Sequence, residues 1–310
     1  MKIVFFGTPA FAVASLKAIV DAGYEVAGVV TAPDRTGGRG NKLIESDVKK
    51  FAVENGLHIM QPDKLRDPEF IRQLKEIDAD MFVVIAFRML PEVVWSLPRL
   101  GTFNIHATLL PQLRGAAPIN HAIISGFKKT GVTSFLINDE IDKGQILLSS
   151  VTSIYDDDDA GTLHDRLMEL GAELTLTTIR GLENGDINPV PQPQNDNYTP
   201  APKIFKSDCK INFNDFSTNI SRLIRGLSPY PGAWCNLKLT DGKELEVKIF
   251  KVNPVFEELE GIPGDSVIKN KSLLVATADG AIEILQLQPA GKKIMDAKAF
   301  LAGYAPAVFY

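Results

Sequence analysis

Residues 2–31 are KIVFFGTPAFAVASLKAIVDAGYEVAGVVT, and they predict a strand, a helix and a second strand in succession. Residues 2–6 are β-branched or aromatic without alternation, which is typical of a strand buried on both faces. Apolar residues then recur at helical spacing from Phe11, and Gly23 ends the helix. The apolar run 24–31 completes a βαβ unit, the building block of a parallel sheet.

The alternation of strands and helices continues along the first two thirds of the chain. The run MFVVIA at 81–86 predicts another buried strand, and residues 67–77 before it predict a helix. Right-handed crossovers between such strands give an α/β fold with a Rossmann-like, doubly wound and mostly parallel sheet. Later strands are predicted at 102–106, 132–137 and 145–154, and further helices at 46–56, 117–126 and 161–184.

The composition changes at residues 188–203, where the run NPVPQPQNDNYTPAPK contains five prolines. Such a segment forms neither a helix nor a central strand, so we expect an extended linker. Short strands and turns recur beyond it, and their spacing predicts a small OB-like β-barrel. The expected organisation is a Rossmann-like domain over 1–187, a linker over 188–203 and a C-terminal barrel domain over 204–310.

The composition is that of an ordinary globular protein, with 310 residues, 45% hydrophobic residues and a net charge of −5. It excludes a disordered chain, a collagen-like chain and a disulfide scaffold. Two cysteines favour a reducing compartment, and because we recognise no leader or membrane-spanning run, we expect a soluble cytoplasmic protein. Residues 203–310 hold 14 basic and 12 acidic residues, a weak positive balance that fits either chance or a polyanionic partner.

Several common cofactor classes lack their motifs in this sequence. The first turn, Gly7 to Phe11, has Pro9 where a dinucleotide-binding fingerprint has its second glycine, and this hinders backbone approach to a pyrophosphate. The sequence contains no P-loop motif GxxxxGK(S/T), no HExxH and no paired CxxC. We therefore expect no NAD, FAD, P-loop nucleotide or metal site.

Two polar side chains occupy the end of the predicted strand at 102–106. Open α/β sheets place ligands at this edge, and strand alternation puts Asn104 and His106 on the same side. The amide and the imidazole are therefore expected to point into one crevice. Asp142 lies in another polar turn, NDEIDKG at 138–144, and the pattern alone favours a surface turn residue over a carboxylate that faces His106.

A series of short motifs runs through nearly the whole chain and both predicted domains. The motifs are Phe6-Gly7-Thr8-Pro9-x-Phe11-Ala12, Pro33-Asp34-Arg35-x-x-Gly38-Arg39-Gly40, Asn104-x-His106, Thr108-Leu109-Leu110-Pro111, Arg114-Gly115-Ala116-Ala117-Pro118, Gly131-Val132-Thr133, Ile141-Asp142-x-Gly144, Arg225-Gly226-x-x-Pro229-Tyr230-Pro231-Gly232-Ala233-Trp234 and Leu287-Gln288-Pro289-Ala290-Gly291-Lys292-Lys293. Together they resemble the folate-dependent formyltransferase family. Several separate motifs in the right order are far more specific than any one of them.

The resemblance implies transfer of a formyl group from 10-formyltetrahydrofolate to an amine, by direct attack through a tetrahedral oxyanion. Asn104 would donate a hydrogen bond to the formyl oxygen, and His106 would stabilise the oxyanion and shuttle a proton. Asp142 would orient the imidazole, favour its charged form and help to take the proton of the amine. This chemistry requires neither a metal nor a covalent nucleophile.

The resemblance also implies a folate site, with the pterin ring in a mainly apolar pocket. The chain departs from the family pattern here, because Phe87-Arg88 stands where a Tyr-Gly pair is usual and the loop before Pro91 is one residue shorter. Thr108 stands where serine is usual, and the hydroxyl is kept. The expected folate-binding residues are Phe87, Arg88, Met89, Leu90, Thr108, Leu109, Leu110 and Pro111.

Within the family, the opening and C-terminal motifs resemble those of members that formylate the methionine amino group of initiator tRNA. The resemblance therefore implies this amine as the acceptor of the formyl group. The glycine-rich segment 33–43 is a solvated insertion on its pattern alone. The resemblance makes it the insertion that probes the acceptor end of the tRNA, with Arg39 as the main contact. The expected tRNA-binding residues are Arg35, Arg39, Lys42, Lys203 and Lys206.

Other functions compete with this one. A formyltransferase that acts on a sugar-nucleotide amine keeps the chemistry and changes the acceptor. One that acts on glycinamide ribonucleotide would have a glycine-rich phosphate loop at residues 7–11, and Pro9 argues against it. A non-catalytic RNA- or nucleotide-binding module keeps the fold, but the intact set Asn104, His106 and Asp142 argues against that class. We expect a monomer.

Overall fold

The computed structural model describes residues 1–37, 42–193, 197–257, 259 and 261–310, and it leaves the side chain of Lys42 undescribed. The chain forms two compact units. The first unit contains Met1–Gly115, Lys129–Ser153 and His164–Ala201, and the second contains Ala116–Lys128, Ile154–Leu163 and Pro202–Tyr310. The first unit thus includes most of the segment 188–203, and the expected domain bounds at 187 and 204 stay a prediction.

The first two thirds of the chain alternate between strands and helices. In chain order the strands are β1 (Lys2–Gly7), β2 (Glu25–Val30), β3 (Arg35–Gly37), β4 (Lys42–Ile44), β5 (Ile59–Met60), β6 (Met81–Ile85), β7 (Thr102–His106), β8 (Lys129–Leu136) and β9 (Ile146–Ser153). The helices are α1 (Ala10–Asp21), α2 (Asp47–Glu54), α3 (Pro68–Ile77), α4 (Glu92–Trp95), α5 (Pro118–Ile124) and α6 (Ala160–Asn184). No helix in the described part of the chain combines the length and apolarity needed to cross a membrane.

The main sheet of the first unit confirms the predicted Rossmann-like fold. Its strand order is β5-β2-β1-β6-β7-β8-β9, with parallel pairing from β5 to β7 and antiparallel pairing on both sides of β8. The chain leaves β1 towards β2 and β5, and then crosses to β6 on the other side of β1. The strand order therefore reverses between β1 and β6, and open α/β sheets bind ligands at the carboxyl ends of such a pair.

The central strands are held by side chains buried on both faces of the sheet. Every residue of β6 is buried, as the continuous apolar run predicts. The rings of Phe6 and Phe82 have centroids 5.2 Å apart and pack with Val4 and Val84 in one core cluster. Each such side chain contributes roughly 1.5–3 kcal/mol of burial free energy, which fixes the strand ends where the polar residues begin.

The glycine-rich segment, interpreted above as an insertion, contains a short hairpin. Strands β3 and β4 pair antiparallel, with Arg35 opposite Ile44 and Gly37 opposite Lys42. The connecting residues 38–41, which include Arg39, lie outside the described residues. The hairpin is therefore described by its two strands alone.

The second unit is dominated by an antiparallel sheet. Its elements are α7 (Ser217–Leu227), β10 (Ala233–Leu239), β11 (Glu244–Val255), β12 (Ser266–Lys269), β13 (Ser272–Thr277), β14 (Gly280–Pro289), β15 (Met295–Asp296), α8 (Ala297–Leu301) and β16 (Pro306–Phe309). The strand order is β12-β13-β14-β11-β10-β16, with β15 beside β14. The Phe309 amide donates to the Gly264 carbonyl at 2.8 Å, so the two ends of the sheet nearly close into the predicted barrel.

Both cysteines lie in the core of this second unit. Cys209 and Cys235 are buried and unpaired. Burial raises the pKa of each thiol above its ordinary value, which keeps the sulfur protonated at neutral pH. The two side chains therefore act as small apolar groups of the barrel core.

Candidate active site

Strand β7 carries Asn104 and His106 to the carboxyl edge of the main sheet. Asn104 pairs with Val84 of β6 on one side and with Phe135 of β8 on the other. The strand is central, so its backbone is rigid and the two side chains, two residues apart, share one face. His106 is only 6% exposed. Both predicted residues thus lie at the edge where an open α/β sheet binds its ligand.

The imidazole of His106 has different neighbours at its two nitrogens. Nε2 lies 2.9 Å from the carbonyl oxygen of Leu113, and since a carbonyl only accepts, Nε2 carries the proton. Nδ1 lies 3.9 Å from Oδ2 of Asp142. In the neutral ring a lone pair at Nδ1 therefore faces a carboxylate. A proton on Nδ1, or a proton donor placed between the two groups, turns this contact into an attractive one.

Asp142 is brought to His106 by an unusual turn rather than by a regular element. Its backbone is left-handed, with φ at 54°, which is uncommon for a residue other than glycine. Its Oδ2 accepts a hydrogen bond from the Gly115 amide at 3.0 Å. A Cβ on Gly144 would lie 1.6 Å from the Leu136 carbonyl oxygen, so the turn requires glycine there. The carboxylate that the pattern alone assigned to the surface is in fact turned inward, with its side chain 13% exposed.

Asn104 has an unused hydrogen-bond acceptor. Its Oδ1 is buried and has no hydrogen-bond partner among the described residues. A buried acceptor without a partner costs about 1–3 kcal/mol, and such atoms need an explanation in a native protein. Because this atom lies at the ligand-binding edge, it is available to an N–H group of a bound molecule.

The loop after β6 lies at the reversal of strand order, and its predicted folate-binding residues have different environments. The ring of Phe87 meets the ring of Phe6 edge-on, with centroids 5.7 Å apart. The side chain of Leu90 is buried in the core, whereas Met89 is 60% exposed. Arg88 donates to the carbonyl of Asp63 at 2.8 Å and to that of Pro62. Arg88 therefore ties the loop to the segment after β5.

The second predicted folate segment, 108–111, is fastened to β8. The hydroxyl of Thr133 donates to the Thr108 carbonyl at 2.7 Å and accepts from the Leu110 amide at 3.1 Å. Thr108 donates through its own hydroxyl to the Gln112 carbonyl at 3.0 Å. Leu109 and Pro111 are half-buried. The loop is thus rigid beside the histidine.

The predicted tRNA-binding residues are divided between the two units. Arg35 is exposed at the start of β3, Lys42 begins β4 in the same hairpin, and Arg39 lies outside the described residues. In the second unit, the Lys203 ammonium lies 5.5 Å from the centre of the Phe205 ring. Lys206 pairs with Glu246 at 2.9 Å and lies over Trp234 at 5.0 Å. Both of these lysines are exposed.

Sequence reasoning assigned no role to three residues that shape the site. Leu113 supplies the carbonyl that orients His106, from a left-handed backbone with φ at 59°. Arg114 and Gln192 both contact the backbone of Asp142. Arg114 stands in one of the quoted motifs, but Gln192 is a single glutamine between prolines, and no pattern in the sequence distinguishes it.

The fold is that of a family of transferases for one-carbon groups. Residues 1–179 match the family described as formyl transferase, and residues 203–305 match the formyl transferase C-terminal domain. The chain therefore belongs to the formyl transferase family.

Curated relatives cover almost the whole chain. A protein of Phocaeicola vulgatus named methionyl-tRNA formyltransferase is 49% identical over 310 residues, covering 98% of this chain and 96% of the relative. A protein of Bacteroides fragilis that is also named methionyl-tRNA formyltransferase is 45% identical over 308 residues, covering 98% of this chain and 95% of the relative.

Solved structures share the fold at lower identity. HypX from Aquifex aeolicus, in complex with tetrahydrofolic acid, matches with a TM-score of 0.64 and 20% identity, covering 98% of this chain and 47% of that one. The sugar 3N-formyl transferase WlaRD matches with a TM-score of 0.67 and 22% identity, and the match covers 94% of this chain and 99% of WlaRD. The chain spans about half of HypX and nearly all of WlaRD.

Proposed function

We propose that this protein transfers a formyl group from 10-formyltetrahydrofolate to the α-amino group of methionine on initiator tRNA, in support of translation initiation. The acceptor is proposed from the relatives named methionyl-tRNA formyltransferase, which are 45% and 49% identical over nearly the whole chain. The observation that carries the chemistry is the buried cluster at the end of β7. There, Nδ1 of His106 lies 3.9 Å from the Asp142 carboxylate, and Asn104, two residues earlier on the strand, has a buried Oδ1 without a partner among the described residues.

His106 and Asp142 prepare the amine. The amine arrives as an ammonium and must lose a proton before it attacks. Nδ1 of His106 offers a lone pair beside the Asp142 carboxylate, so the pair attracts the cation and takes its proton onto Nδ1. Asp142 then stabilises the imidazolium, while the Leu113 carbonyl holds the ring in place through Nε2. That proton passes from Nδ1 to the departing nitrogen of the folate, and the neutral Nδ1 then takes the second proton, which the attacking nitrogen loses after the new C–N bond has formed, and releases it to solvent.

Asn104 serves the carbonyl and the amine with the two ends of one side chain. Its amide N–H groups donate to the negative charge that develops on the formyl oxygen, worth about 3–4 kcal/mol per donor. Its buried Oδ1, which has no partner among the described residues, accepts a hydrogen bond from the attacking amine. The same side chain thereby holds the two reacting groups together.

The folate supplies the activated formyl group when it binds. We assign its pterin ring to the carboxyl ends of β1 and β6, where the strand order reverses. Phe87 offers an aromatic surface there, and Met89 is exposed for contact, whereas Leu90 supports the loop from the core. The rigid segment 108–111 forms the side of the pocket next to the histidine. An apolar pocket with a few fixed polar groups suits such a ligand.

The tRNA is bound through basic residues of both units in this proposal. We assign Arg35, Arg39 and Lys42 to contacts with the acceptor end, as the family resemblance implies. Lys203 and Lys206 of the second unit lie beside the aromatic rings of Phe205 and Trp234. Basic and aromatic side chains together are suited to the backbone and the bases of RNA.

The test is formyl transfer from 10-formyltetrahydrofolate to purified methionyl initiator tRNA, with a sugar-nucleotide amine assayed in parallel. We expect rapid transfer to the charged tRNA only. Transfer to the sugar alone would keep the chemistry and overturn the acceptor. Binding of tRNA without any transfer would instead indicate a non-catalytic RNA-binding module.

A further inference from the structure

The side chain of Gln192 is buried in the proline-rich segment 188–203 and bonds at both ends. Gln192 is 8% exposed. Its Nε2 donates to the carbonyl oxygen of Asp142 at 2.9 Å and to that of Gly144 at 2.8 Å. Its Oε1 accepts from Nη2 of Arg114 at 2.5 Å and from Nε at 3.2 Å. The two amide hydrogens and the amide oxygen are therefore all engaged beside the active site.

Arg114 completes a clamp on the same turn. Its Nε also donates to the Asp142 carbonyl, at 3.1 Å, so that oxygen accepts from both clamp residues. The guanidinium lies over the ring of Tyr198 at 5.1 Å, which restricts its orientation. The clamp thus joins the loop after β7, the turn before β9 and the proline-rich segment.

The turn at Asp142 needs such support. A left-handed backbone at a residue other than glycine persists only where the surrounding structure determines it. The Gly115 amide holds the carboxylate itself, through Oδ2. Gln192 and Arg114 hold the backbone from which that carboxylate projects. Loss of the backbone contacts lets the turn relax and changes the separation of Asp142 from His106.

We propose that Gln192 is a positioning residue for formyl transfer, because its amide holds the Asp142 turn so that the carboxylate stays beside His106. The proposal rests on the function proposed above. The contacts of Gln192 are with backbone carbonyls and with Arg114, so it acts through Asp142. The segment 188–203 is therefore more than a connection between domains, since it supplies part of the support of the active site.

The experiment compares three variants of the full chain. Gln192→Met removes the hydrogen bonds at both ends of the Gln192 amide and leaves only the bond from Arg114 to the Asp142 carbonyl. Gln192→Glu keeps an acceptor for Arg114, but it removes both donors and sets a carboxylate against two carbonyl oxygens. Gln112→Met is the matched control, because the Gln112 Oε1 accepts from the Thr199 amide at 2.9 Å and ties the same segment down without reaching the Asp142 turn.

We expect both Gln192 variants to lose about 10- to 100-fold in kcat, since small misplacements of catalytic groups have effects of that size. The KM for methionyl-tRNA should stay within about twofold of wild type in these variants, because ground-state binding is untouched. Gln112→Met should keep kcat within about twofold as well. The ring nitrogen NMR signals of His106 should move in both Gln192 variants and stay in place in the control.

Several outcomes would overturn the proposal. A Gln192→Glu protein with wild-type kcat would mean that only the Arg114 contact matters. An equal loss of kcat in Gln112→Met would mean that any residue that anchors the segment 188–203 supports the active site equally well. Should Gln192→Met fail to fold, Gln192→Glu decides, because it keeps the pairing with Arg114. A wild-type protein without transfer would contradict the proposed function instead, and the His106 signals would still test the positioning.

Discussion

His106 is the residue on which the proposed chemistry depends most directly. Its tautomer follows from one contact, the bond from Nε2 to the Leu113 carbonyl. That bond leaves Nδ1 as the basic atom, and Asp142 is the charged group opposite it. The histidine and the carboxylate therefore act as a pair, and loss of either should remove most of the proton transfer.

His106→Ala and Asp142→Ala should each reduce kcat for formyl transfer by about 10²–10⁴-fold, the usual contribution of a positioned acid–base group. Folate binding should stay nearly intact, because the proposed pterin pocket is formed by other residues. Transfer kinetics and a fluorescence titration with folate measure the two effects. A near-normal rate in either variant would remove that residue from the mechanism.

Single residues also mark the limit of prediction from the sequence. Asn104 and His106 could be placed together because alternation along one strand fixes their side. Asp142 could not be placed from its pattern, because its inward direction depends on a left-handed turn supported from two other segments. Gln192 lies 50 residues along the chain from Asp142, and local sequence carries no signal of such a contact.

Among the secondary-structure elements, the β3–β4 hairpin is held at its base by one lysine of α2. Nζ of Lys49 contacts the carboxylate of Asp34, which precedes β3, and lies 2.7 Å from Oε1 of Glu45, which follows β4. Gln61 adds a hydrogen bond to Asp34 at 2.8 Å. Lys49 therefore joins the two ends of the hairpin.

Lys49→Met should loosen the hairpin without unfolding the sheet. Hydrogen exchange of the amides that pair β3 with β4 should speed up by about tenfold, as expected for local opening, while amides of β6 stay unchanged. Lys50→Met is the control, because Lys50 pairs with Asp47 on its own helix at 3.3 Å. Equal exchange in both variants would show that Lys49 is not the anchor.

The same ion pair sets the pH range of the hairpin. Hydrogen bonds from Lys49 and Gln61 hold the pKa of Asp34 below its ordinary 3.8. The ionised Asp34 therefore stabilises the hairpin fully above that value, and this stabilisation is lost as the pH falls through the lowered pKa. Hydrogen bonds to Asp34 and Glu45 raise the pKa of Lys49 above 10.5. The charged Lys49 therefore stabilises the hairpin fully below 10.5, and this stabilisation is lost as the pH rises through the raised pKa. NMR signals of Thr36 and Leu43 should therefore stay constant from about pH 5 to about pH 9. A transition near neutral pH would assign the anchor to another group.

Elements with a strong apolar pattern or clear end signals were predictable, and elements without them were not. Strands β1 and β6 are continuous apolar runs, and α3 follows an aspartate cap with a proline at its first turn, so the sequence alone indicates them. The hairpin strands have three residues each, with charged and glycine residues that show no alternation. Lys49 contacts the residues that flank the two strands, Asp34 and Glu45, and its contact with Asp34 is between separate elements.

The net charge of the whole molecule is negative, as is the charge of the tRNA that we propose as its partner. The chain carries a net charge of −5, so attraction to a polyanion must come from local groups. Lys206 and Lys210 lie over Trp234 at 5.0 and 5.6 Å, and Lys203 lies beside Phe205. These contacts place three ammonium groups of the second unit beside aromatic rings, although Lys206 also pairs with Glu246.

The double variant Lys203→Ala/Lys206→Ala should bind tRNA more weakly and with a smaller dependence on salt. Each lost phosphate contact lowers the slope of log K against log salt by about 1, so the slope should fall by about 2. The slope is measured from the KM for methionyl-tRNA in steady-state kinetics at a series of salt concentrations. The kcat and the KM for folate should stay unchanged. Lys17→Ala/Lys75→Ala is the matched control, because it removes the same charge from two exposed helix positions of the first unit. An equal change of slope in the control would mean that total charge governs binding, and an unchanged slope in Lys203→Ala/Lys206→Ala would mean that these lysines do not touch phosphates.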